Sequence, residues 1–146
     1  MKRLIVVIVF SSTIFLAHQM GALASDHWDR AQKAFDEGNF QTVIDLLLPD
    51  AKAGDAMAQL AVGWSYEGLA SWDNRVIAKE WYRKAAEQGN ADAQTSLADI
   101  IGRDSSPTDT KELSEMAMWY RKAAEQGHPW AQYSLGGLYW AGVGVD

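Results

Sequence analysis

Apolar residues recur along this chain at helical intervals. Met116, Trp119, Tyr120, Ala123 and Ala124 fall at i, i+3, i+4, i+7 and i+8 and make one continuous face, and Ala78, Trp81, Tyr82, Ala85 and Ala86 repeat it. Arg83, Lys84 and Glu87 point away from that face, and the spacing predicts i,i+4 ion pairs Glu80–Lys84 and Arg83–Glu87. Upstream, Trp28, Ala31 and Phe35 share one face of a first helix. Gly38-Asn39 then breaks the chain before a second helix from about Phe40 to Ala53, in which Pro49 is expected to produce a kink. About seven helices are predicted after residue 24, with no alternating strand pattern.

The periodicity is itself repeated. The nine residues Trp81 to Gly89 recur unchanged as Trp119 to Gly127. Gly-x-x-x-Ala-Gln occurs at Gly54, Gly89 and Gly127, spaced by 35 and 38 residues. Gly89 and Gly127 stand where a left-handed helix C-cap belongs, and Asp55, Asn90 or His128 follows each glycine at an N-cap position, with Pro129 in the first turn of the last helix. Asp109 with Glu112 reads as a capping box. Eight, nine and twelve residues past the glycines stand Val62, Leu97 and Leu135, then Gly63, Ala98 and Gly136, then Tyr66, Ile101 and Tyr139. This large, small, large order lets a neighbouring helix approach closely. The segments Gly68 to Asn74 and Gly102 to Thr108 are predicted loops within helix pairs.

These residues resemble the Sel1-like repeat, a relative of the tetratricopeptide repeat. The resemblance lies in Ala-x-Ala-Gln-x-x-x-Leu-Gly-x-x-Tyr and Trp-Tyr-Arg-Lys-Ala-Ala-Glu-Gln-Gly, and it covers roughly Gly54 to Asp146. It implies an all-α, right-handed α-solenoid of antiparallel helix pairs, in which the first helix of each pair lines a concave face. It also implies an adaptor role in a bacterial envelope. The expected division is a signal peptide over 1–24, a degenerate helix pair over 25–54, repeats over 55–89 and 90–127, and an incomplete third repeat over 128–146. The second unit departs from the family pattern at Asp99-Ile100-Ile101-Gly102. The third stops at Gly142-Val143-Gly144-Val145-Asp146, before the second helix of its pair, so a truncated reading frame or an incomplete sequence is expected, the former with exposed Leu135, Leu138 and Tyr139 and a tendency to associate.

The first 24 residues change where the protein is expected to work. Lys2 and Arg3 precede an uncharged 14-residue stretch from Leu4 to Ala17, and Ala22-Leu23-Ala24 makes a small-x-small site before Ser25. A spanning helix needs roughly 20 residues, so a cleaved leader and a periplasmic or secreted product without a stable membrane anchor are expected. The leader carries two basic and no acidic side chains, so its loss takes the net charge from −6 to −8. That balance disfavours nucleic acid as a partner. The chain has no cysteine, which removes disulfides and thiolate metal sites.

No catalytic, metal or cofactor motif is present. Of three histidines, His18 lies in the leader and His128 has a capping role, which leaves His27. His-Glu-x-x-His, phosphate-binding loops and nucleophile elbows are missing, and Gly142-x-Gly144 follows no strand. Some cysteine-rich relatives are associated with β-lactam binding or hydrolysis, but neither their cysteines nor Ser-x-x-Lys, Ser-Asp-Asn or Lys-Thr-Gly occurs here. What remains is a surface. Three, six and ten residues past each glycine stand Met57, Leu60 and Trp64, then Asp92, Thr95 and Asp99, then Trp130, Tyr133 and Gly137. The expected site is a groove with aromatic ends and an acidic middle, suited to a protein or peptide segment that carries apolar anchors and a basic residue. Enzymatic or β-lactam-binding action and assembly through an uncapped C-terminal end are the alternative readings.

Overall fold

The structure is a computed structural model that describes residues 26–106 and 108–144. Seven helices and no strand lie among the described residues: α1 over 26–36, α2 Phe40–Ala53, α3 Ala56–Gly68, α4 Trp72–Glu87, α5 Ala91–Asp104, α6 Thr110–Glu125 and α7 Pro129–Ala141. The expected leader, its cleavage site, Pro107 and Val145-Asp146 fall outside the described residues.

The helix ends follow the local chemistry. Asp55, Asn90 and His128 each accept the backbone N–H three residues on, at 2.8, 2.8 and 3.2 Å. Asp109 does the same for Glu112 at 3.0 Å. Each such cap satisfies one donor that the helix leaves unpaired and stabilises by about 1 kcal/mol. Two further caps, Asn39 on Thr42 and Ser71 on Asn74, lie outside the repeated glycine pattern. Ser71 starts α4 at Trp72, inside the segment expected to be a loop. α5 likewise continues past Gly102 to Asp104, because Gly102 is a packing residue: a Cβ there would lie 2.6 Å from the Met116 sulfur. α2 runs through Pro49 as one helix.

Each of α2 to α7 packs principally against its sequence neighbours. Such an array is close to one-dimensional, and its stability is a sum of pair and neighbour contributions. Two apolar clusters result. Ala31, Ala34, Val43, Leu47, Ala51, Ala58 and Val62 join α1, α2 and α3. Leu60, Tyr82, Leu97, Ile100, Ile101, Met116, Trp119 and Tyr120 join α3 through α6.

A glutamine relay links one repeat to the next. Buried Gln59 donates to Ala51 O at 3.0 Å, and its side-chain oxygen accepts from Gln88 Nε2 at 2.8 Å. Gln94 repeats both bonds, to Ala86 O at 3.1 Å and from Gln126 at 2.8 Å. A buried amide needs these partners, because leaving one unmade costs about 1–3 kcal/mol.

The expected i,i+4 ion pairs are replaced by contacts that reach other groups. Arg83 turns from Glu87 to Glu115 of α6, Nη1 to Oε1 at 2.6 Å, and Lys84 lies 4.2 Å over the Trp81 ring. Burial pushes the Glu115 carboxyl up. Hydrogen bonds from Arg83 and Trp119 and the charges of Arg83 and Lys79 outweigh that effect and hold it below its ordinary value. Leu135 and Leu138, expected to be exposed, are half-buried against the second cluster together with Val143, whereas Tyr139 is half exposed.

Candidate functional site

The first helices of successive pairs, α3, α5 and α7, place several of the expected site residues on one face and bond them to one another. Trp64 Nε1 donates to Ser96 Oγ at 3.2 Å, and Asn90 Nδ2 approaches Met57 Sδ at 3.3 Å. His128 Nε2 lies 3.1 Å from Asp92 Oδ1, and Trp130 Nε1 is 3.4 Å from Asp99 Oδ1. The same Asp99 oxygen accepts the Tyr120 hydroxyl. Met57, Trp64, Asp92, Asp99 and Trp130 are therefore positioned side by side, each with surface left to solvent.

Two expected members belong to the core. Leu60 is 1% exposed and sits in the second apolar cluster, and Thr95 is 5% exposed. Thr95 spends its hydroxyl on Ala91 O at 2.8 Å. Tyr133 occupies the equivalent position in the third unit, where among the described residues no further pair covers it, so it is 73% exposed and stacks on Trp130.

Trp64 divides the face into two clefts of opposite character. One, of about 180 Å³, is walled by Trp28, Phe35, Leu47, Met57, Leu60 and Trp64. A cavity of roughly 150 Å³ holds a benzene-sized group, so this space matches one bulky apolar side chain. The other is wider and polar, lined by Trp64, Glu67, Ser96, Asp99 and Arg103. Glu67 and Arg103 form an ion pair across it, and Tyr82 donates to Glu67 at 2.7 Å. Burial and the hydrogen bond to Glu67 raise the Tyr82 hydroxyl far above the ordinary range, and burial with the bond to Asp99 raises Tyr120. Both phenols stay neutral donors.

Glu67, Ser96 and Arg103 were missed from sequence, though a signal existed. Glu67 lies three residues past Trp64, and Ser96 and Arg103 lie three before and four after Asp99, so helical spacing alone puts them on the same flank. Among the described residues no group of three or more His, Asp or Glu side chains converges as a metal site would require.

The geometry that repeats across α3 to α7 matches a known pattern. The family model described as Sel1 repeat matches residues 54–90, 117–128 and 131–146. The chain belongs to the Sel1 repeat family. A crystal structure of a Sel1 repeat protein from Oxalobacter formigenes superimposes with a TM-score of 0.66 and 35% identity over 80% of this chain. The chain spans about half of that protein, 48% of its length. No curated protein matches the chain. In Sel1 terms, the two unchanged nonamers close the second helices of their pairs; their Tyr82, Trp119 and Tyr120 are buried core residues, and Trp81 is partly buried against the first cluster.

Proposed function

We propose that this Sel1 repeat protein is a non-enzymatic adaptor of the bacterial cell envelope, which binds a protein or peptide segment along the face shared by α1, α3 and α5 and extended by Trp130 of α7. The observation that carries this reading is the position of Trp64. Its ring walls an apolar cleft on one side and a cleft with two carboxylates on the other. A segment with a bulky apolar residue next to a basic one would meet both. Trp is the residue type most enriched among dominant interface contacts, and preformed helices lose little ordering entropy when a partner docks.

The envelope assignment rests on the expected leader over 1–24, and the proposed division of the chain places the repeats over 55–89, 90–127 and 128–146 after a helix pair over 25–54. No helix among the described residues is long and apolar enough to cross a membrane. Selection of a random peptide library on the chain from Ser25 onward tests the reading. The enriched peptides should carry an apolar residue beside Lys or Arg and should fail on a folded Trp64→Ala variant. Enrichment that ignores the Trp64 substitution would reject the groove. Nitrocefin turnover by the same preparation would reject the non-enzymatic part.

A further inference from the structure

The junctions that join α3 to α5 and α5 to α7 follow one plan in different chemistry. In each, the N-cap residue of a first helix reaches back to the residue three past the glycine of the unit before it. Asn90 Nδ2 lies 3.3 Å from Met57 Sδ, and His128 Nε2 lies 3.1 Å from Asp92 Oδ1. Both residues also cap their own helix. Asn90 Oδ1 accepts the Ala93 N–H at 2.8 Å, and His128 Nδ1 accepts the Ala131 N–H at 3.2 Å. The first junction, made of an amide and a thioether, holds nothing that titrates near neutral pH. The second does, because a histidine changes charge between about pH 5 and 8.

His128 can make both contacts in one protonation state only. A backbone N–H faces Nδ1, so Nδ1 carries a lone pair, and the proton of the neutral ring sits on Nε2 toward the Asp92 carboxylate. Each contact selects the same tautomer. A second proton has to go on Nδ1, where it meets the Ala131 N–H and the positive end of α7. The same proton turns the contact with Asp92 into an ion pair. The other elements packed here add little that competes. α7 has no charged side chain, and the last turn of α6 brings Lys122, which lies 4.4 Å over the Trp119 ring, and Glu125, which forms no ion pair among the described residues.

We infer that His128 makes the junction between α5 and α7 a pH-sensitive joint: on protonation the ring gives up the cap of α7 and holds Asp92 as an ion pair instead. Acid therefore frees the Ala131 N–H, loosens the turn that carries Trp130, and offsets the charge of Asp92 on the shared face. The junction between α3 and α5 is unaffected. The joint is a property of the fold, and it stands whether or not that face is a binding groove.

Nuclear magnetic resonance of the isotope-labelled chain tests this. At pH 8 the imidazole nitrogen shifts should show the His128 proton on Nε2. Between pH 8 and pH 5 the Ala131 amide should shift together with the His128 ring. Its protection from hydrogen exchange, corrected for the intrinsic rate, should fall about fivefold, as the loss of one cap requires. Ala58 and Ala93, capped by Asp55 and Asn90, should keep theirs. His128→Asn, which copies the Asn90 cap, should hold the Ala131 amide constant over the same range. A proton on Nδ1 at pH 8, or an Ala131 amide indifferent to the His128 titration, would overturn the inference. So would equal losses at Ala58 and Ala93, or a change at Ala131 that persists in His128→Asn.

Discussion

The ring of Tyr82 rests on the bare backbone of Gly63, so closely that a Cβ there would lie 2.6 Å from both Cδ1 and Cε1. Tyr82 is fully buried, and its hydroxyl reaches Glu67. Both partners are therefore fixed by one contact between α3 and α4. Gly63→Ala gains helix propensity of about 1 kcal/mol but must displace the ring, which costs about 1–3 kcal/mol. The expected outcome is a lower melting temperature for Gly63→Ala, whereas Gly136→Ala, with nothing to displace, should raise it; thermal unfolding followed by circular dichroism decides. Equal shifts for the two would mean that the close approach carries no energy.

The glutamine relay predicts an unequal response from equivalent residues. Gln94→Leu removes two hydrogen bonds made by a buried side chain, to Ala86 O and from the exposed Gln126, and should cost about 1–3 kcal/mol in urea unfolding. Gln132→Leu touches a single bond at an exposed position and should change stability by less than about 0.5 kcal/mol. A loss at Gln132 as large as that at Gln94 would contradict the assignment.

Most of this architecture was legible in the sequence, and the exceptions have physical causes. The helices, their caps at Asp55, Asn90, His128 and Asp109, and the core role of Tyr82 and Tyr120 follow from spacing and local chemistry. Gly102 reads as a turn residue but serves as a socket for Met116, a long-range relation that local propensity does not register. Arg83 had two acidic partners within reach, and the one on the neighbouring helix took it. Leu60 and Thr95 read as surface positions on an isolated helix, but tertiary packing buries both. The Trp64 cleft depends on α1 packing beside α3, which no periodicity within a helix encodes.

Alkaline pH should weaken the fold through two phenols. Tyr82 and Tyr120 have hydroxyls raised above their ordinary value of 10.0, chiefly by burial and then by bonds to Glu67 and Asp99. A raised value in the folded state means that the stabilisation is complete below pH 10 and is lost as pH rises beyond it, because the unfolded chain can ionise and the folded one resists. Stability measured by urea from pH 9 to 11.5 should fall for the native chain. The fall should be shallower in a Tyr82→Phe, Tyr120→Phe variant, at the cost of about 1 kcal/mol per lost hydrogen bond at neutral pH. Identical slopes would assign the alkaline loss to other groups.

Trp64 lets binding and stability be separated. The side chain is 39% exposed, donates to Ser96 at 3.2 Å and meets Phe35 at 6.3 Å between ring centroids. A tryptophan packed wholly between repeats would cost about 3–5 kcal/mol on truncation. One that leaves a third of its surface to water and keeps its neighbours α3 and α5 joined by other contacts should cost less, about 1–2 kcal/mol by its smaller buried area. If the ring is the divider of a binding groove, Trp64→Ala should weaken a selected peptide at least tenfold, about 1.4 kcal/mol or more. Peptides that carry Lys or Arg should also weaken against Asp99→Asn and at higher salt, because the acidic cleft then contributes less. The two effects have different physical sources, apolar burial on one side of the ring and charge on the other. An Asp99→Asn, Trp64→Ala pair whose losses add would therefore place the peptide across both clefts, and a loss confined to one substitution would confine it to one side of Trp64.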